Sequence, residues 1–317
     1  MNHSHTELKK VQPHPRKRNV FVNEAGKPLV AKVPHLNGDY LPTSVQRAVE
    51  LLGGIQKAVH PGDRVMIKPN FNCEFALPLS TDLAFLAAAI ELLQDAGAKV
   101  TVGELSGRAA WPTERVIKLL KVEPLLKRYG VPFINFEHDE WLELEVKGRF
   151  WQSFRVPRSI YEAEKRVYLA NMRPHSSARF TASLKLSVGW IDLKDREYLH
   201  ADRDLVGWKI PELNLGWQPD LILIDGRRTT TNWHGRGEYV YPNVILASGD
   251  MVAVDAEAVR ILKTFPGDNR LDIPVEEMEQ IRGAIELGLG TLDYELVKAP
   301  ANTKTEQEGI SFREQKS

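Results

Sequence analysis

Short apolar runs alternate with segments of helical spacing along this chain, and that alternation limits the folds open to it. RVMIKPN, KVTVGELSG, EKRVYLANMRP and DLILIDG are brief apolar stretches, and each stops at polar or charged residues. DLILIDG is almost continuously apolar, as in a strand covered on both faces. Between the runs, SVQRAVELLGGI, STDLAFLAAAIELLQDAGA and TERVIKLLKVEPLLKRYG have helical spacing, as does MVAVDAEAVRILKTF further on. Ser80 or Thr81 is placed to cap the second of these and Gly97 to stop it, while Asp250 caps the last. Strands alternating with helices predict an α/β fold, a largely parallel sheet with helices on both faces. Residues 141–160 break the rhythm: WLELEVKGRFWQSFRV alternates apolar with polar, as an antiparallel β insertion does.

Three regions follow from this pattern. Residues 1–40, rich in His, Lys, Arg and Pro without periodicity, read as a flexible basic arm or one that docks late onto the body. Residues 41–298 form the α/β domain, and residues 299–317 a polar tail. With 317 residues and 43% hydrophobic content, the chain can bury a sizeable core. Lys plus Arg and Asp plus Glu both number 42, so no global field favours nucleic acid or anionic lipid as a partner. Cys73 is the only cysteine, which excludes an internal disulfide and any cysteine-built zinc or iron–sulfur site within the chain. The polar, basic start lacks the apolar core of a secretory signal, and no stretch approaches the ~18 apolar residues of a membrane span. A cytoplasmic location is the expectation.

Ligands of parallel α/β sheets occupy the crevice beyond the carboxyl ends of the strands. Four predicted strands end at Lys68-Pro69-Asn70, at Glu104 with Ser106, at Arg173-Pro174-His175 and at Asp225-Gly226-Arg227. If these strands are parallel neighbours, those groups line one rim. In RPHSSARFTASLKLSVGW, residues 173–190, Pro174 ends a strand and Ser176 or Ser177 caps a following helix. Arg173, His175 and Arg179 would then surround a helix N-terminus, which favours an anion. Lys185 would share a face with the small residues Ala178, Thr181 and Ala182, while Phe180, Leu184 and Val188 would face the core. Asp255, inside an Ala/Val-rich helix, would need a buried partner such as Lys68 or Lys185. His200 and His234 stand at spacings that match no metal motif, so no metal site is expected. Walker, complete G-x-G-x-x-G and G-x-S-x-G sequences are absent.

The ordered set VMIKPN, VGELSG, RPH with TASLKLSVG, LILIDG and ILASGDMVAVDAEAVRIL resembles the domain-of-unknown-function family numbered 362, over roughly residues 60–290. The resemblance implies an α/β domain, fused in some relatives to a ferredoxin-type iron–sulfur module. Without cysteines for such a module, any cluster would belong to a ferredoxin-type partner. The chain departs from the family pattern at Asn171-Met172-Arg173-Pro174, where a lysine-rich run is usual, and at Leu186, where Asn is usual.

Two functions fit these residues. The first is an enzyme acting on a small carboxylate or phosphate. Arg173 and Arg179 would hold the anion, His175 would serve as general acid or base, and Lys185 or Lys68 would stabilise developing charge. Asp225 completes the catalytic candidates, and Asn70, Glu104, Ser106, Arg227 and Asp255 are candidate substrate contacts. The second is a non-catalytic ligand- or cofactor-binding protein, or a redox subunit that docks an iron–sulfur partner. Neither the reaction nor a cofactor is identified by the residues themselves.

Overall fold

The computed structural model describes residues 8–107, 111–234 and 238–299. In chain order the first half runs β1 (Lys9–Val11), β2 (Leu29–Pro34), α1 (Leu41–Leu51), β3 (Arg64–Lys68), α2 (Leu83–Asp95) and β4 (Lys99–Glu104). It continues with α3 (Thr113–Leu119), α4 (Val122–Tyr129), β5 (Phe133–Asn135), β6 (Trp141–Glu145), β7 (Ser153–Pro157) and α5 (Arg158–Tyr161). Next come β8 (Lys165–Asn171), β9 (Arg173–His175), β10 (Arg179–Thr181), α6 (Leu193–His200), α7 (Val206–Glu212) and β11 (Leu221–Gly226). The chain closes with β12 (Thr229–Thr230), β13 (Tyr239–Val240), β14 (Val244–Ser248), α8 (Met251–Leu262), α9 (Glu279–Glu286) and β15 (Glu295–Lys298).

Eight strands form one sheet in the order β15-β2-β14-β11-β8-β3-β4-β5. All its neighbouring pairs are parallel except those that β14 makes with β11 and β2. The apolar runs are continuous because both faces are covered, and alternate residues of one strand enter opposite cores. Val167 and Leu169 of β8, with Leu221 and Leu223 of β11, pack in the layer with α1, α2 and α4. Tyr168 and Ala170, with Ile222 and Ile224, face the layer that holds α7, α8, α9 and the β6–β7 ribbon. The α/β class and the helices on both faces are as the sequence predicts. So is the antiparallel ribbon, in which Leu142 pairs with Val156 and Leu144 with Phe154.

The arm expected over residues 1–40 is corrected by the structure. Leu29–Pro34 is an interior strand, with Val30, Ala31 and Val33 buried between β14 and β15. Upstream, Lys9–Val11 adds a parallel strand to the ribbon, and Phe21 is fully buried. The apolar stretch LVAKV is short and surrounded by polar residues, so its burial is set by neighbouring strands and not by its own periodicity. Residues 1–7 of the arm and 300–317 of the polar tail lie outside the described residues, while Ala299 is buried.

A second correction falls on residues 173–190. No helix starts at Ser176 or Ser177; β9 and β10 form a hairpin with Arg179 opposite His175, and a 3-10 helix follows at Leu184–Trp190. His175 Nδ1 accepts the backbone N–H groups of Ser177 and Ala178 at 3.3 and 3.2 Å, which closes the turn. Arg179 turns the chain back with a left-handed φ of 58°. The cap of α2 also moves by one residue: Asp82, not Ser80 or Thr81, accepts from Ala84 and Phe85. Asp250 caps α8 as expected, accepting from Ala253 at 2.9 Å. Among the described residues no helix is long and apolar enough to cross a membrane.

Because β2 lies inside the sheet, deleting residues 1–40 should abolish the cooperative thermal transition seen by circular dichroism. A flexible arm would leave the melting temperature unchanged, and that result would refute the assignment of β2 to the core.

Candidate functional site

β3 and β4 are parallel neighbours, and their carboxyl ends present Lys68 and Glu104 to each other. Both side chains are almost wholly buried, with 1% and 2% exposed. Lys68 Nζ donates to Glu104 Oε1 at 2.5 Å and to the Pro69 carbonyl at 2.7 Å. Glu104 also accepts the backbone N–H groups of Phe71 at 2.6 Å and Leu105 at 2.8 Å. Three donors thus hold the carboxylate, and it fixes the loops leaving both strands. Gly189 closes over the pair: a Cβ there would lie 2.5 Å from Lys68 Nζ and 2.8 Å from Glu104 Oε1.

Around this pair is a crevice lined by Lys68, Asn70, Glu104, Arg173, Thr181 and Lys185 among others. Its cavity volume of about 30 Å³ has room for a couple of water molecules or a group of similar size. Arg173 donates from Nη1 to the Pro174 carbonyl at 3.1 Å, but its buried Nε has no partner, and neither has the buried Thr181 Oγ1. Behind the wall, Arg196 directs its guanidinium to carbonyls only, those of Ile191, Leu105 and Ser106. Lys185 makes no hydrogen bond or ion pair among the described residues. Burial lowers its ammonium to about 7, with Arg173 and Arg196 adding repulsion. Burial likewise brings Arg173 and Arg196 down to about 10, so both guanidiniums stay charged at neutrality. Once Lys68 is balanced by Glu104, the other cations have no carboxylate of their own here. Such a surplus favours an anion.

The remaining sequence candidates are placed differently. His175 lies beside Lys185 and Arg173 but is not part of the crevice lining. Burial, then Lys185 and Arg173, hold it well below the ordinary histidine range, so its ring is neutral. Two backbone N–H groups aim at Nδ1, which leaves its proton on Nε2. Asp225 is fully buried behind a different cleft on the same rim and forms a two-point pair with Arg227, which lines that cleft, at 3.0 and 2.7 Å. Arg227 bridges onward to Asp82 at 2.8 Å, and this cleft, of about 320 Å³, is shared with His35 and Asn243. Between the two clefts, Asn171 at the end of β8 donates to the Ser80 carbonyl at 3.0 Å and closes the rim with Thr81. The four strand ends thus do not share one crevice.

Arg179 is paired through two nitrogens with Glu279, at 2.6 and 3.0 Å, away from the expected anion position. Ser106 donates to the Phe71 carbonyl at 2.6 Å and anchors the loop. Asp255 pairs with neither Lys68 nor Lys185. It accepts from Ser183 N at 2.8 Å, Ser183 Oγ at 2.6 Å and Leu184 N at 2.9 Å, and so starts the 3-10 helix that carries Lys185. Burial pushes this carboxyl up to about 7 against those hydrogen bonds. Gly189 and Arg196 carried no signal in the sequence: one is a single glycine in SVGW, and the other an arginine in the polar segment DLKDREYLH. No group of three or more His, Cys, Asp or Glu side chains among the described residues is arranged to hold a metal.

Lys68→Met would leave Glu104 buried without its counter-charge and should lower stability by roughly 3–5 kcal/mol in urea unfolding. Gly189→Ala should cost about 1–3 kcal/mol by forcing the pair apart. Wild-type midpoints for both variants would show that the pair does not organise this rim.

The family described as a domain of unknown function (DUF362) matches residues 65–260. A thylakoid-associated protein of Synechocystis sp. is 25% identical over 235 residues, which cover 71% of this chain and 71% of that protein. Among solved structures, one from Thermotoga maritima aligns at 14% identity and a TM-score of 0.38, covering 60% of this chain and 52% of that one. The lactate racemase apoprotein of Thermoanaerobacterium thermosaccharolyticum aligns at 14% identity and a TM-score of 0.35, covering 75% of this chain and 57% of its own. The chain spans little more than half the length of either structure. With its strand ends and most of α8 inside the matched region, which spans more than half of the sequence, the chain belongs to the DUF362 family.

Proposed function

We propose that the chain is an enzyme for a small anionic substrate, a carboxylate or phosphate, bound in the cationic crevice and worked on by Lys185. The observation that carries this reading is the Lys185 ammonium, which has no partner among the described residues and lies beside Arg173 in a crevice whose carboxylate is already held by Lys68 and two backbone N–H groups. Arg173 offers the substrate a free Nε–H and a fixed positive charge, and Thr181 offers a free hydroxyl. Arg196 adds charge from behind the wall. Lys185 is the proton carrier of the set, because an amine near pH 7 can both take and return a proton at neutrality. A positioned base of this kind contributes roughly 10²–10⁴-fold to a proton-transfer step. His175, neutral and engaged at Nδ1, holds the hairpin that carries Arg173 and Thr181 at the site.

The small crevice volume favours a compact group at the reacting end, such as a single carboxylate. A cysteine-held iron–sulfur cluster would have to enter with a ferredoxin-type partner, since Cys73 is the only cysteine of the sequence.

The sign of the pH dependence separates binding from catalysis. Lys185 is cationic below about 7 and neutral above it. Affinity for acetate, whose own charge is constant in this range, measured by calorimetry, should therefore fall as pH rises through 7. Turnover that uses the neutral amine should rise over the same interval, and a panel of 2-hydroxy acids, 2-oxo acids and phosphate monoesters is the place to look for it. Lys185→Met should remove both inflections while the protein stays folded. Turnover of any panel substrate by Lys185→Met at the wild-type rate, or pH-independent anion binding, refutes the role given to Lys185.

A further inference from the structure

We propose that Lys185 is a site of reversible carbamylation, at which its amine takes up carbon dioxide and the resulting carbamate occupies the crevice. The inference rests on the reading of the crevice as an anion site and names an occupant for it. Four observations converge. Lys185 Nζ has no hydrogen-bond or ion-pair partner among the described residues, so nothing must be broken before it reacts. The free space, about 30 Å³, suits the three heavy atoms a carbamate adds more readily than a bulky ligand.

The polar surroundings are also complementary. Arg173 is 8% exposed and Thr181 5%, and each keeps one buried polar atom without a partner, Nε and Oγ1. Both line the same crevice as Lys185, and both can donate to a carboxylate-like group. Finally, the charge is unbalanced. The crevice's carboxylate, Glu104, is spent on Lys68 and two backbone N–H groups, and neither Arg173 nor Arg196 has an ion-pair contact with a carboxylate among the described residues. Carbamylation turns a group that these guanidiniums repel into one that they attract.

The step balances without any further reagent. The lone pair of the neutral amine attacks the carbon of carbon dioxide and a C–N bond forms. One C–O π pair moves onto oxygen, and the surplus nitrogen proton leaves to solvent or buffer. Burial and the adjacent guanidiniums supply the neutral amine near pH 7. The titratable and charged groups around it are Lys68 and Glu104 at the ends of β3 and β4, Arg173 and His175 on β9, and Arg196 on α6, with His200 behind His175.

The experiment equilibrates the whole chain with ¹³C-labelled bicarbonate and follows carbamate by ¹³C NMR. A parallel sample is alkylated with a trialkyloxonium salt and mapped by peptide mass spectrometry. The expected result is a carbamate resonance that is lost in Lys185→Met, with the trapped mass on the Lys185 peptide. Arg173→Met, which removes a charge-assisted hydrogen bond, should need roughly tenfold more bicarbonate to give the same occupancy. The wild-type peptide map does not depend on either variant folding. Label that is absent, or that maps only to other lysines, overturns the proposal. Acetate and phosphate titrations in carbon-dioxide-free buffer separate the two readings. Anion binding without label refutes carbamylation alone, whereas neither binding nor label refutes the anion crevice as well.

Discussion

The ion pair between Lys68 and Glu104 organises the functional end of this sheet. It joins two adjacent parallel strands at their carboxyl ends, and the same carboxylate takes the N–H groups of Phe71 and Leu105. A buried pair contributes little net stability compared with apolar residues of the same size, because desolvation offsets most of the attraction. Its value here is geometric. The loop after β3, the loop after β4 and the 3-10 helix bearing Gly189 all meet at one point, and their spacing is set by what fits around it.

A second carboxylate has a comparable role one layer away. Asp255, inside α8, holds the first N–H groups of the 3-10 helix, so the position of Lys185 depends on a helix about 70 residues further along the chain. The hairpin before it is tied by the His175 ring and by the Arg179–Glu279 pair. Two helices distant in sequence, α8 and α9, together with the neighbouring hairpin therefore hold one lysine beside Arg173. The acidic groups nearby are spent on structure, and this is why the crevice they build is left cationic.

Much of the fold was legible in the sequence, and less of the site. Continuous apolar runs such as LILI and alternating ones such as WLELEV report their burial directly, so the sheet, its helices and the antiparallel ribbon could be read from residue order. LVAKVP could not, because its burial comes from β14 and β15 closing around it. RPHSSARFTASLKLSVGW misled for a related reason. The i, i+4 spacing of Phe180, Leu184 and Val188 is real and all three are buried, yet two of them lie in the 3-10 helix and one in the hairpin. What ends the hairpin and starts the helix is Asp255, a contact that no local pattern encodes. The strand ends at Lys68, Glu104 and Arg173 do meet. Asp225 does not join them, because β8 lies between β11 and β3 and its Asn171 binds the Ser80–Thr81 loop there.

Arg196 has a consequence beyond its place in the wall. Its guanidinium is held by the neutral carbonyls of Ile191, Leu105 and Ser106, and carbonyls do not titrate. A cation held by carboxylates is progressively released as acid protonates them. One held by peptide dipoles keeps both its position and its charge. The positive potential behind the crevice is thus built into the backbone, and it should persist through acidification that dismantles ion pairs elsewhere on the molecule.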